Sequence, residues 1–254
     1  MTDAAKIQTD HKDAEPCWSP NFGERRDGLK PSMIVLHYTG MGTGQEAQNW
    51  LCSPDSQVSS HYLVHEDARV VQMVSENMRA WHAGAGSWHG QTDINSRSIG
   101  IEIVNAGHPE PPEFPDVQIE TVIALMRGIL SRHKIEMSNV IGHSDMAPGR
   151  KIDPGEKFPW KRLADAGLAL FVDPEPVQGG RFFSLGEKGE PIEALQAMLA
   201  LYGFDQHVDG FFDERTKTHI EAFQRRHRPQ KIDGVADVST IMTLRNYLQL
   251  IAQV

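Results

Sequence analysis

Order enters the chain abruptly at Met33-Ile34-Val35-Leu36, a short apolar run of the kind that makes a buried strand. The preceding residues are polar and broken by Pro16, Pro20, Gly23 and Gly28, which predicts a loose N-terminal arm over residues 1–30. Gln45 to Leu51 has the pattern of a short helix. His61 to Val64 and Val70 to Val74 read as two strands with Glu66 and Asp67 in the turn between them. Ser98 to Val104 alternates about Ile99, Ile101 and Ile103, which predicts a half-buried strand carrying Gly100, Glu102 and Val104 on its other face. After a Pro-rich loop, Ile119, Val122, Ile123, Met126, Ile129 and Leu130 recur at helical spacing, so one face of a helix covers the sheet. Asn139 to Gly142 is a last short strand, ending at His143. Strands interleaved with covering helices predict an α/β fold, a mixed central sheet covered by helices over residues 31–172.

The pattern changes at DPEPVQGG, whose turn and breaker composition marks a linker over residues 173–187. Beyond it the signal is helical only. Ile192, Leu195, Leu199 and Tyr202 share one face, Thr216, Ile220 and Phe223 a second, and Ile241, Leu244, Leu248 and Ile251 a third. Residues 188–254 are therefore expected to close a small all-α, three-helix domain. Asp213 and Asp237 sit where a carboxylate caps a helix start.

Composition narrows the classes of function. With 39% hydrophobic and 23% charged residues, the chain is neither low-complexity nor wholly disordered. A net charge of −9, mostly carried before the linker, leaves no basic excess for a nucleic-acid partner. On this reading Arg225, Arg226 and Arg228 form a solvated face. Cys17 and Cys52 are too few for a disulfide framework and suit a reducing compartment, with Cys52 a partly buried thiol. Met1 to Pro20 holds Asp3, Lys6, Asp10, Lys12, Asp13 and Glu15 with no apolar run, and no later stretch reaches membrane length. The expectation is a cytoplasmic protein without membrane contact.

Candidate chemistry clusters before residue 154. His37 ends an apolar strand and precedes Tyr38-Thr39-Gly40, a turn that exposes the strand's last side chain, and His143 also ends a strand. Asp153 follows in the loop GHSDMAPGRKIDPG. Two imidazoles and a carboxylate from separate elements suit a catalytic zinc with an open fourth position. Glu102 is a mid-strand carboxylate, costly to bury unless paired, and fits a general base. Lys151 shares a side with Asp153 in an extended loop, where an ammonium stabilises an oxyanion. Spacing alone equally allows a Glu at the sheet's rim and a solvated Lys. Asn95 and Arg97, before the Glu102 strand, are candidates to meet substrate carboxylates, as is Arg150; for Arg97 and Arg150 plain solvation is the alternative. Asp145 reads as an orienting or capping group. His61 and His65 lie on a strand and lack the shared helical face of a zincin pair.

The runs VLHYTG and SIGIEIVN, and above all GHSDMAPGRKIDPG with the nearby FPW, resemble the zinc-dependent N-acetylmuramoyl-L-alanine amidases. That family shares its fold with phage lysozyme-amidases and animal peptidoglycan recognition proteins, and the match runs from about Pro31 to Phe171. The resemblance implies one zinc ion bound by His37, His143 and Asp153, with Glu102 as catalytic glutamate and Lys151 assisting it. It implies hydrolysis of the amide between the N-acetylmuramoyl lactyl group, 1,6-anhydro or not, and the L-alanine of the stem peptide. Trp81-His82-Ala83-Gly84 resembles the segment lining the family's substrate groove, with Trp81, His82 and Trp88 as contacts to sugar or peptide. A catalytically silent peptidoglycan receptor of the same fold is the alternative; the complete ligand set argues for the enzyme.

The stretches IEALQAMLALYGF, VDGFFDERTKTHIEAFQRRH and KIDGVADVSTIMTL are similar to the three-helix peptidoglycan-binding module found beside wall hydrolases. The implied partners are muropeptides or peptidoglycan; a helical packing domain without a ligand is the alternative for this part. A wall-binding module favours contact with intact wall, making a periplasmic site the alternative to the cytoplasmic one.

Overall fold

The computed structural model describes residues 8–253. Among the described residues eight strands and five α-helices alternate through the first domain. They are β1 (Glu15–Pro16), β2 (Phe22–Gly23), β3 (Met33–Tyr38), α1 (Gly44–Leu51), β4 (Tyr62–Val64), β5 (Val70–Gln72), β6 (Arg79–Ala80), α2 (Ile94–Arg97), β7 (Ser98–Ile103), α3 (Asp116–Arg132), β8 (Val140–Gly142), α4 (His143–Met146) and α5 (Trp160–Asp165). The C-terminal part is helical: α6 (Glu190–Tyr202), α7 (Glu214–His227) and α8 (Val238–Ile251). The central sheet has the order β1-β5-β4-β7-β3-β8. Every neighbouring pair is parallel except β4 and β5.

Side-chain alternation decides what each face meets. Ile34, Leu36, Ile99, Ile101 and Ile103 pack beneath α3 against Ile119, Val122, Met126 and Ile129. The opposite residues of β3, Met33 and Val35, join Ile141, Trp88 and Met146 in a core that continues into Ile192, Leu195, Tyr202, Phe223 and Leu244 of the helical part. The second face is thus covered by the C-terminal helices, and β7, read as half-buried, is buried along its length except at Glu102. A continuous apolar core across the junction makes the two parts one packed body.

Residues 8–30 are not a loose arm; Met1 to Ile7 lie outside the described residues. β1 adds to the edge of β5, and Asp10 accepts from Gln72 Nε2 (2.5 Å) and from the Glu76 amide (2.9 Å). The Arg25 guanidinium donates to the carbonyls of Glu76, Ser96 and Ser98 at 2.8–3.1 Å. These anchors are polar groups bonding to backbone, which hydrophobic periodicity does not register. Likewise Arg226 and Arg228 are no solvated face. Both are buried: Arg228 pairs with Asp237 at 2.6 Å and Arg226 crosses to the first domain. Asp213 and Asp237 cap α7 and α8, accepting from Thr216 N and Thr240 N, each at 2.8 Å. Between the domains Glu175 binds α8, through Ser239 (2.6 Å) and Asn246 (2.8 Å). Among the described residues no helix is long and apolar enough to cross a membrane.

Candidate active site

Parallel registry assembles the site. His37 of β3 stands directly beside Glu102 of β7, and Leu36 beside Gly142 of β8, so His143 emerges next to His37 at the strands' C-terminal ends. Such ends are where open parallel sheets place their ligands. Asp153 is brought in by the loop after α4, pinned where Ser144 N donates to the Asp153 carbonyl at 2.9 Å. His37 Nδ1, His143 Nδ1 and Asp153 Oδ2 lie 2.9–3.1 Å from one another, all buried.

The outer hydrogen bonds fix which nitrogens carry protons. His143 Nε2 donates to the Ala83 carbonyl at 2.8 Å. His37 Nε2 meets His82 Nδ1 at 3.0 Å, and His82 Nε2 meets Ser98 Oγ at 3.1 Å, whose hydroxyl donates to the Ile94 carbonyl at 2.6 Å. Read from that last acceptor back, each group donates outward, so both Nδ1 atoms of the neutral rings present lone pairs inward. Burial, reinforced by the neighbouring His143, pulls His37 down to about 4, keeping it neutral. Burial pushes the Asp153 carboxyl up, but the two imidazoles set against it outweigh burial and hold the group below the usual carboxylate range. Two lone pairs and a carboxylate aimed at one point repel one another unless a cation sits among them. The donor set, two imidazoles and one carboxylate with the remaining direction open to a cleft, fits a metal ion.

The cleft, about 380 Å³, is lined by His37, Glu102, His143, Lys151 and Asp153 on its floor and by Trp50 and Trp81 among its walls. Glu102 Oε2 is buried without a hydrogen-bond partner. Burial and then the Asp153 charge raise its pKa well above the ordinary value, opposed by Lys151. A carboxylate so placed has a strong driving force to accept a proton.

The other sequence candidates separate. Trp81 and Arg150 line the cleft; Arg150 donates to the carbonyls of Ala83 (2.8 Å) and Ala85. His82 also borders it, but both its ring nitrogens are engaged, leaving none for substrate. Asn95 is buried, with Oδ1 accepting from the amides of His82 (3.1 Å) and Ala83 (2.8 Å); it shapes the loop. Arg97 is outside the cleft and donates to the Thr92 carbonyl at 3.1 Å. Trp88 is fully buried at the domain junction, edge-on to Tyr202 and Phe204. His61 is structural, accepting from the Gly100 amide at 3.0 Å. For His82 the sequence leaves a supporting histidine open beside a substrate contact, and the structure places it against His37. Gly100 makes room for it: a Cβ there would lie 2.5 Å from the His82 ring. The sequence reading missed Arg226, whose partner Asp145 accepts from the Gly142 amide at 2.8 Å.

Residues 27–156 match the family model described as N-acetylmuramoyl-L-alanine amidase, and residues 188–244 match that of a peptidoglycan binding domain. The chain is 36% identical over 225 residues to N-acetylmuramoyl-L-alanine amidase AmiD of Escherichia coli, covering 82% of this chain and 79% of that protein. It is 32% identical over 162 residues to 1,6-anhydro-N-acetylmuramyl-L-alanine amidase AmpD of Salmonella typhimurium, covering 57% of this chain and 85% of AmpD. The solved complex of E. coli AmiD with anhydro-N-acetylmuramic acid-L-Ala-D-gamma-Glu-L-Lys superimposes with a TM-score of 0.73 at 31% identity, covering 92% of this chain and 99% of that one.

Proposed function

The chain belongs to the N-acetylmuramoyl-L-alanine amidase family, and from that premise we propose how its cleft cuts the amide between the muramoyl lactyl group and L-alanine of peptidoglycan stem peptides. The observation that carries the proposal is the convergence of His37, His143 and Asp153 beside the unpartnered Glu102 carboxyl. Those three ligands would hold a zinc ion, which when bound supplies Lewis-acid chemistry for a carbonyl and a water near neutral pH. Glu102 takes the proton of the attacking water at its free Oε2 and delivers it to the alanine nitrogen as the amide breaks. Its raised pKa gives that oxygen the driving force to accept the proton. The Lys151 ammonium faces the same space and offsets the negative charge on the tetrahedral oxygen. Trp81 supplies an apolar wall, and Arg150 a cation at the cleft's rim.

The unit over residues 31–172 does the chemistry, and residues 188–254 hold the chain to glycan. The substrate class is muropeptides of cell-wall recycling, with the 1,6-anhydro sugar supported by the ligand in the AmiD complex. The peptidoglycan binding domain favours a second reading, action on the intact wall, which moves the site of action from the cytoplasm to the periplasm. Zinc-loaded protein offered intact sacculi and soluble anhydro-muramyl peptide separates these, with products read by mass spectrometry and Glu102→Ala as the blank. Stem peptide from the soluble substrate alone supports recycling, and release from sacculi as well supports wall turnover. Release from neither, with zinc bound, removes the enzyme reading and leaves the receptor.

A further inference from the structure

We propose that Arg226, in the helical domain, is a positioning residue for the metal centre, setting the end of β8 from which His143 projects; the inference rests on the metal-site reading above. Arg226 reaches out of α7 into the first domain, its side chain 2% exposed and that of its partner Asp145 1%. Nη1 donates to Asp145 Oδ2 at 2.7 Å, and Nη2 donates to the carbonyls of Val140 (3.2 Å) and Leu170 (3.0 Å). The guanidinium lies over the Trp160 ring, 3.9 Å from its centroid.

Two of these contacts, to Val140 and Asp145, bear on the segment that carries His143. Val140 opens β8. Asp145 Oδ2 also accepts from the amide of Gly142, the residue before His143, at 2.8 Å. The other carboxylate oxygen, Oδ1, is buried with no partner, so among the described residues this carboxylate is held by Arg226 and the Gly142 amide alone. α4, only four residues long, has little rigidity of its own. A buried ion pair is weak evidence for stability, since apolar groups of equal size pack as well. Here the pair holds the His143 segment at both ends, which an apolar pair could not do. The helical domain therefore acts on the catalytic centre in addition to any role in holding glycan.

Three full-length variants test this: Arg226→Lys, which keeps the charge and loses the fork; Arg226→Met; and Asp145→Asn with Arg226→Met, which removes the buried charge yet keeps an acceptor for Gly142. Zinc dissociation constants are measured by competition with a colorimetric chelator, and metal-free unfolding is measured in parallel. Outer-sphere partners of metal ligands typically change affinity about 10- to 100-fold. The expected result is zinc binding weakened about 10-fold or more in Arg226→Lys, with the double variant recovering part of the loss shown by Arg226→Met. In metal-free protein the His143 imidazole nitrogen shifts should move in Arg226→Lys while those of His37 stay. Zinc affinity within twofold of wild type in Arg226→Lys, whatever its thermal stability, overturns the proposal. If Arg226→Met does not fold, Arg226→Lys and the double variant decide. Failure of the wild-type chain to bind one zinc would instead remove the metal-site reading, and the inference with it.

Discussion

Substituting Gly100 by alanine should loosen the metal centre without touching a ligand. Gly100 lies inside β7 with ordinary strand geometry, so alanine costs the backbone nothing there. The added methyl meets His82 at 2.5 Å from Cγ and 2.7 Å from Nδ1. Relaxed carbon contacts are about 3.5–4.0 Å, so the ring must recede by about 1 Å. His82 is held at both ends, to His37 Nε2 at 3.0 Å and Ser98 Oγ at 3.1 Å. A retreat of that size takes either bond out of range. Overpacking of this kind costs about 1–3 kcal/mol of stability. Losing the bond that orients His37 should weaken zinc binding about 10- to 100-fold, or about 1.4–2.7 kcal/mol. Urea unfolding of chelator-treated protein reads the first quantity and zinc competition titration the second. Gly23→Ala is the control, because a methyl there meets nothing within 4 Å. A folded Gly100→Ala protein that binds zinc within twofold of wild type would refute the argument that His82 orients His37.

Three further outcomes follow from the packing and charge. Glu102→Gln should lower kcat by about 100- to 10,000-fold, while the metal-free protein at pH 8 unfolds no earlier than wild type, because the raised pKa of Glu102 marks its charged form as unfavourable there; earlier unfolding would contradict the burial argument. Trp88→Ala should cost about 3–5 kcal/mol and appear in a single unfolding transition if the two domains share the core; separate transitions by fluorescence and circular dichroism would contradict that sharing. His219, stacked on Phe204 and bonded to Gln206 at 2.6 Å, is pulled down to about 4 by burial and then by Arg215. Its folded pKa lies below the unfolded value of 6.5, so its contribution is complete above pH 6.5 and lost as pH falls towards 4. His219→Gln should flatten the fall in stability between those limits by up to about 3 kcal/mol in urea titrations, and an unchanged slope would contradict it.

Much of this molecule was legible in the chain, for identifiable reasons. β3, β7 and α3 announced themselves through apolar periodicity, because burial of one face is a repeating signal. His37 and His143 stood out at strand ends and Glu102 as a costly mid-strand carboxylate, and parallel pairing brings these three together, while Asp153 was marked by its loop motif and arrives on that loop. What stayed hidden was held by single polar contacts without a period. Arg25 and Asp10 tie down the N-terminal segment through backbone groups, and Arg226 finds its partner 81 positions away. Asn95 and Trp88 looked like ligand contacts because amides and indoles serve both purposes. Only packing assigns one to a loop and the other to the core.

The registry of β3 against β7 has a consequence of its own. His37 and Glu102 occupy one rung of adjacent strands, so the distance between the proposed ligand and the proposed base is set by the backbone ladder rather than by flexible side chains. Sliding either strand by a single residue would turn that side chain towards α3, into hydrocarbon. Misalignment therefore removes catalysis and costs stability together, and turnover becomes a checksum on correct strand alignment. Any selection for activity then also screens for chains that have threaded the sheet correctly.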